Sequence, residues 1–142
     1  MSVITKAIHD FLRADAGIEA AVIGRVHEGR LPKEKKLPAI VLTAINTDHH
    51  YELANESTVR TPTVQVDVYD SDPQSQHEVI AELVRSRLSG YQGPLNESIR
   101  CDCAVIVRDS ELPEAPKDAS DNWIRRTSLD FRIHYFAAAP AH

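Results

Sequence analysis

A chain of 142 residues is long enough for one domain with a real core and too short for two. Its 42% hydrophobic content is ordinary for a globular protein and argues against disorder. The formal net charge of −5 disfavours a general nucleic-acid binder, which would carry a basic surface, but leaves room for a protein that lets nucleic acid pass without holding it.

Residues 2–15 are expected to form a helix, with Ile4, Ala7, Ile8, Phe11 and Leu12 in one apolar stripe and Lys6, Asp10 and Arg13 off it. Gly17 interrupts, and residues 18–23 fit a short second helix closed by Gly24, a common residue at a helix stop. Residues 25–29 fit a short strand, followed by a polar loop bracketed by Pro32 and Pro38. Residues 39–46 are apolar on both faces, Ile40, Leu42 and Ala44 against Val41 and Ile45, which predicts a strand buried on both sides. The polar continuation at 47–58 predicts an antiparallel hairpin with its tip near Leu53 to Glu56.

The chain is organised around residues 61–88. Val64, Val66 and Val68 point one way, and Thr63, Gln65, Asp67 and Tyr69 the other, the pattern of a half-buried strand. Asp70-Ser71-Asp72-Pro73 breaks it. Asp72 suits an N-cap and Pro73 the first position of a helix, along which Val79, Ile80, Leu83, Val84 and Leu88 recur at helical spacing. Gly90 and Gly93-Pro94 mark a turn. In the strand expected at 99–108, Ile99, Cys101, Cys103, Val105 and Val107 point inward and Arg100, Asp102 and Arg108 outward, with Ala104 and Ile106 assigned to neither face. Residues 109–121 read as an acidic, proline-containing loop. Residues 122–136 read as the last strand, with Thr127, Leu129, Phe131, Ile133 and Tyr135 inward, and residues 137–142 as a loose tail.

This order predicts a single α+β domain over residues 1–142. Its sheet is mixed but mainly antiparallel, with about five strands, two main helices on one face and projecting hairpins. The core joins Val64, Val66, Val68, Val105, Leu129, Phe131 and Ile133 to Phe11, Ile80, Leu83 and Val84. A strand over 122–136 would run roughly 50 Å, against a diameter of roughly 37 Å for a compact domain of this length, so it must bend or project. Projecting hairpins leave unpaired edges, which points to oligomerisation.

No catalytic, cofactor or metal site is expected. Asp48-His49-His50 places adjacent histidines on opposite faces of a strand, a poor chelate, and solvated hairpin histidines are the simpler reading. Cys101 and Cys103 at i, i+2 would make a strained disulfide and read as reduced core residues of a cytosolic protein. No further cysteine completes a metal set. Asp67, Asp70 and Asp72 are better explained by a strand, a turn and a cap than by a cation. There is no nucleophile elbow, and the five glycines are too scattered for a phosphate loop. Arg30, Lys33, Lys35 and Lys36 fit contact with phosphate or an acidic partner, although Glu28 and Glu34 dilute them and a solvated loop is the simpler reading. No apolar run is long enough to span a membrane, and no basic-then-apolar leader is visible, so neither membrane nor export is expected.

Five short segments, in order and at their spacing, resemble the tail-completion or tail-terminator proteins of long-tailed phages and prophages. They are Gly24-Arg25-Val26-His27, Leu37-Pro38-Ala39-Ile40-Val41, Val64-Gln65-Val66-Asp67-Val68-Tyr69, a helix ending in Leu88, and Leu129-Asp130-Phe131. His27 and Ala39 stand where the family more often has aromatic residues. The resemblance implies a non-enzymatic virion subunit without cofactors. It assembles as a homo-oligomeric ring, typically a hexamer, caps the tail tube, ends its growth and meets the head-side connector. Its partners are then further copies of itself, the tube protein and the connector or neck protein, with DNA passing through unbound. The rival readings are another neck or head-closure component and, from a different class, a small ligand-binding domain or enzyme.

Within the ring reading, contacts to neighbouring subunits or partners are expected at Arg30, Lys33, Lys35, Lys36, Glu52, Leu53 and Glu56. Acid lining the lumen is expected from Asp109, Glu111, Glu114, Asp118 and Asp121, because a wall of Lys and Arg would hold DNA. The subunit would reside in the virion, after assembly in the host cytoplasm.

Overall fold

The computed structural model describes residues 2–32, 36–51, 56–71, 75–114 and 123–136, with backbone only at 47–51, 56–59 and 112–114. In chain order the elements are α1 (Val3–Arg13), α2 (Ala16–Val22), β1 (Val26–Glu28), β2 (Ala39–Tyr51), β3 (Glu56–Ser71), α3 (His77–Leu88), β4 (Gly93–Pro94), β5 (Arg100–Glu114) and β6 (Ile124–Phe136). The strands form one sheet in the order β1-β2-β3-β6-β5-β4. Among the described residues, only β1 and β2 pair in parallel; every other pairing is antiparallel. The fold is α+β as expected, with a sixth, two-residue strand, β4, at the Gly93-Pro94 turn.

α1 starts where a short polar side chain can cap it: the Ser2 hydroxyl accepts from the Thr5 N–H at 3.2 Å. Its stripe of Ile4, Ala7, Ile8, Phe11 and Leu12 is buried as the spacing requires. Asp15 caps α2 by accepting from the Ile18 N–H at 3.0 Å. α2 ends one residue earlier than expected. Ile23 itself adopts the left-handed conformation (φ 52°), followed by Gly24 at φ 72°. α3 also starts later than the sequence suggests, after Gln76, which makes no side-chain cap. The expected cap at Asp72 and Pro73 lies outside the described residues. Instead the buried Asp70 carboxylate, at the end of β3, accepts from the Ser71 N–H (2.8 Å) and the Gln76 N–H (2.7 Å), tying the entrance of α3 to the sheet.

The helices cover one face of the sheet. Ile40 and Leu42 of β2 lie beside Val68 and Val66 of β3, and Val64 and Val66 beside Phe131 and Leu129 of β6. These pack against Ile8, Phe11 and Leu12 of α1 and Ile80, Val84 and Leu88 of α3 in one continuous core. Phe11 also meets Tyr91 at 4.5 Å between ring centres, and the Arg87 guanidinium lies 4.3 Å from the Phe11 ring centre.

Four expectations are corrected. Residues 109–114 belong to β5 and not to a loop: the ladder with β6 continues to Glu114 opposite Ile124. Register shifts between Cys101 and Cys103 and between Ile106 and Arg108 break the alternation of β5. Such a bulge adds a residue and reverses which side chains face inward. Ala104 is therefore buried and Ile106 packs on the core, whereas Val105 and Val107 are 42% and 49% exposed. Cys103 is only half-buried, while burial pushes the Cys101 thiol up to about 11. On α3, Ala81 takes the inward position, leaving Leu83 and Val79 at the surface. β2 is buried on both faces only from Ala39 to Leu42; a shift between Ala44 and Asn46 then carries it outward, with Ile45 52% exposed.

β2 and β3 extend into a long hairpin. β3 alone has 16 residues, roughly 50 Å at strand rise, so it reaches well past the helical layer. Pro62 sits inside it, an unusual place for a residue that lacks an N–H. The ladder to β6 is interrupted there, running from Arg60 opposite Tyr135 to Thr63 opposite Arg132, so no β6 bond depends on it.

Candidate assembly surfaces

Two polar surfaces flank the core. On the helical side, α3 and the C-terminal half of β5 enclose a groove of about 310 Å³ lined by Glu78, Glu82, Arg85, Asp109, Glu111 and neighbours. Arg85 Nη1 lies 3.7 Å from Asp109 Oδ2 and 4.0 Å from Glu82 Oε2. Glu111 shares a hydrogen bond with Glu78, and the Glu78 charge beside it adds to the effect. Both push the Glu111 carboxyl above its usual range. His77 Nδ1 is 2.6 Å from Thr127 Oγ1 at the base of this region.

On the other face of the sheet, Gln65, Arg108, Ser110, Arg126, Ser128 and Asp130 line a depression of about 220 Å³. Beside it the buried Asp67 carboxylate accepts from Gln65 Nε2 at 2.8 Å and lies 3.6 Å from Arg126 Nε. Arg126 also donates to the Tyr69 hydroxyl at 3.3 Å. Burial raises the Asp130 carboxyl, Arg108 opposes the shift, and Asp67 adds to it. Acid and guanidinium alternate across this face, so the surface is polar without a strong sign. The outward set Thr63, Gln65, Asp67, Tyr69 in the sequence already marks it. Glu78 and Glu82 carried no comparable signal, because only the fold brings α3 beside β5.

Among the described residues singled out in the sequence, Arg30 and Lys36 lie on the β1 side of the sheet and Asp109 and Glu111 on the β5 side. Arg30 and Lys36 are exposed, on the connection that joins β1 to β2. Arg25 Nε donates to the Pro38 carbonyl at 2.9 Å and ties that connection's base. Lys33, Lys35, Glu52 and Leu53 lie outside the described residues, and Glu56 opens β3. Asp109 and Glu111 are exposed on β5 and face the helical layer across the groove; Glu114 ends β5, and Asp118 and Asp121 lie outside the described residues. β2, β3 and β6 separate the β1 side from β5. The fold thus places the basic connection and the acidic groove apart within one chain.

Among the described residues, no three His, Cys, Asp or Glu side chains gather closely enough to hold a metal ion. No described helix is long and apolar enough to cross a membrane.

Residues 6–135 match the family of tail completion protein gp17. The chain belongs to that family. The match runs from within α1 to within β6. Among solved structures, a chain from the virion of a native gene transfer agent particle shares this fold. The TM-score is 0.67, with 20% identity over 94% of this chain and 95% of that one. No match was found among curated proteins. As a tail-completion protein, the chain has a structural role in a phage tail.

Proposed function

We propose that the subunit assembles into a ring, a hexamer, that caps the last ring of the tail tube, ends tube growth and presents a joint to the head-side connector. Family membership across residues 6–135 is the observation that carries this reading. The long β2–β3 hairpin and the two-sided separation of basic and acidic surfaces support it, because a head-to-tail ring needs two different surfaces on each subunit. The hairpin tip, with Glu52, Leu53 and Glu56, reaches the neighbouring subunit or the tube. The connection bearing Arg30, Lys33, Lys35 and Lys36 meets acid on the next copy, which sets specificity more than affinity. Acid from Asp109, Glu111, Glu114, Asp118 and Asp121 lines the lumen and lets DNA pass unheld. The ring forms during assembly in the host cytoplasm and stays in the virion. It works by contact and carries no reaction.

The test removes the subunit from an assembling phage and supplies variants in trans. Loss of the subunit is expected to give overlong or unjoined tails, which the native chain restores and a deletion of residues 52–56 that still folds does not. Tails of normal length, joined to heads without the subunit, would overturn the reading.

A further inference from the structure

Among the described residues, β2 and β5 each leave about two-thirds of their outer edge unpaired. β1 covers β2 only at residues 40–42, and among the described residues nothing pairs with the outer edge of β2 from 43 to 51. β4 covers β5 only at Arg100 and Cys101, with Ala104 bonded to Gly90 and Tyr91. The outer edge of β5 from 105 to 114 is likewise unpaired among the described residues. A long open edge is a template for another strand. The exposed apolar side chains of Ile45, Val105 and Val107 lie in these two segments.

The two open edges complement each other. Through β3 and β6, β2 and β5 run in opposite directions, so a second copy laid beside the first brings β5 of one antiparallel to β2 of the other. Both open segments are C-terminal halves, so they lie at opposite ends of the sheet. β1 and β4 block the remaining halves and force the copies to slide past each other along the strands.

The peptide groups agree with this arrangement. The Ile40 N–H and the Leu42 carbonyl face β1, so alternate residues of β2 turn outward. The shift between Ala44 and Asn46 moves that alternation on and turns Thr47, opposite Pro62, to the outer edge. On β5, Ala104 faces outward to Gly90 and Tyr91, and beyond the shift at Ile106 the outward positions are Asp109, Glu111 and Pro113. Pro113 therefore costs no bond to β6.

We infer that β5 of one subunit pairs antiparallel with β2 of the next, with Thr47 opposite Asp109 or Glu111, so that the ring is closed by a shared sheet. This rests on the ring reading above and names the contact that makes it. Asp109 is level with Val66 and Glu111 with Val68, while Thr47 is level with Pro62, so the slide between copies is four or six residues, roughly 13 or 20 Å. Each copy adds four long strands, roughly 19 Å of width at the usual strand spacing. The resulting strand tilt is about 35° or about 45°, the range in which sheets close into barrels. A tilted sheet absorbs the slide and closes, where an untilted one would wind into an open helix.

Particles are assembled with Thr47→Cys combined with Asp109→Cys, and separately with Glu111→Cys, then oxidised and run on non-reducing gels. One of the two pairs is expected to give a ladder of subunit multimers that Thr47→Cys alone, with native Cys101 and Cys103 present, does not give. Thr47→Pro removes an outward donor and no bond to β3. It is expected to keep the thermal midpoint of the free subunit and to exclude it from tails; if it fails to fold, the cysteine pairs decide. Rings visible in particles in which neither pair cross-links would overturn the pairing and leave the ring reading standing. Particles containing no multimer of the subunit would overturn both.

Discussion

Phe131 is the largest fully buried side chain among the described residues, set between Val64 of β3 and Ile106 of β5. Phe131→Ala is expected to lower stability by about 3–5 kcal/mol, since it removes the ring's transfer energy and leaves a cavity. An unchanged urea midpoint would mean that this strand face is not the core. Asp10 behaves differently. Burial alone would raise its carboxyl, but hydrogen bonds from Asn96, His9 and Lys6, with the Lys6 charge, outweigh it and hold the group down at about 2, from 3.8. A group depressed on folding stabilises the native state above its unfolded pKa and loses that contribution as pH falls through the folded one. Stability is therefore expected to drop between about pH 4 and about pH 2, and Asn96→Ala, which removes a 3.1 Å bond between α1 and the turn before β5, should flatten that part of the pH profile. A profile unchanged by Asn96→Ala would remove the role given to this bond. The burial of Phe131 was legible from alternation alone. The Asp10–Asn96 contact was not, because 86 residues separate the partners and no local pattern announces it.

At the scale of elements, the β5 bulges have the sharpest consequence. With the register observed, Ile106→Ala should cost about 2 kcal/mol in the free subunit and Val105→Ala less than about 0.5 kcal/mol, by their difference in burial. Strict alternation over 99–108 predicts the reverse order, and urea denaturation of the two variants separates the cases. The sequence carried the strand but not the bulge, because an extra residue in a β-branched run leaves every residue type acceptable on either face. Asp70 gives a similar lesson at the start of α3. α3 starts after Gln76 with the Asp70 carboxylate of the preceding strand at its entrance, so Asp70→Ala should destabilise by about 1–2 kcal/mol, and a neutral effect in thermal melts would contradict that assignment. α1 held no such surprise: its stripe and Ser2 cap follow from the sequence because both are local. The acidic loop read at 109–121 became strand as far as Glu114 because β6 supplied a partner, a tertiary effect that composition does not carry.

For the whole molecule, the order of elements and the α+β class were readable from periodicity, and the family from five short segments in sequence. The two half-open sheet edges were not, since they depend on where β1 and β4 stop. Those edges give the subunit two different flanks, one along β2 and one along β5. The proposed function requires a closed ring of this subunit between tube and connector. Images of intact particles, at a resolution that traces β2, β3, β5 and β6, test it most directly. A single closed ring of this fold is expected at the head-proximal end of the tail tube, with neighbouring subunits in contact. The same fold found only at the tail tip, along the tube or in the capsid, or present there as isolated copies, would contradict it.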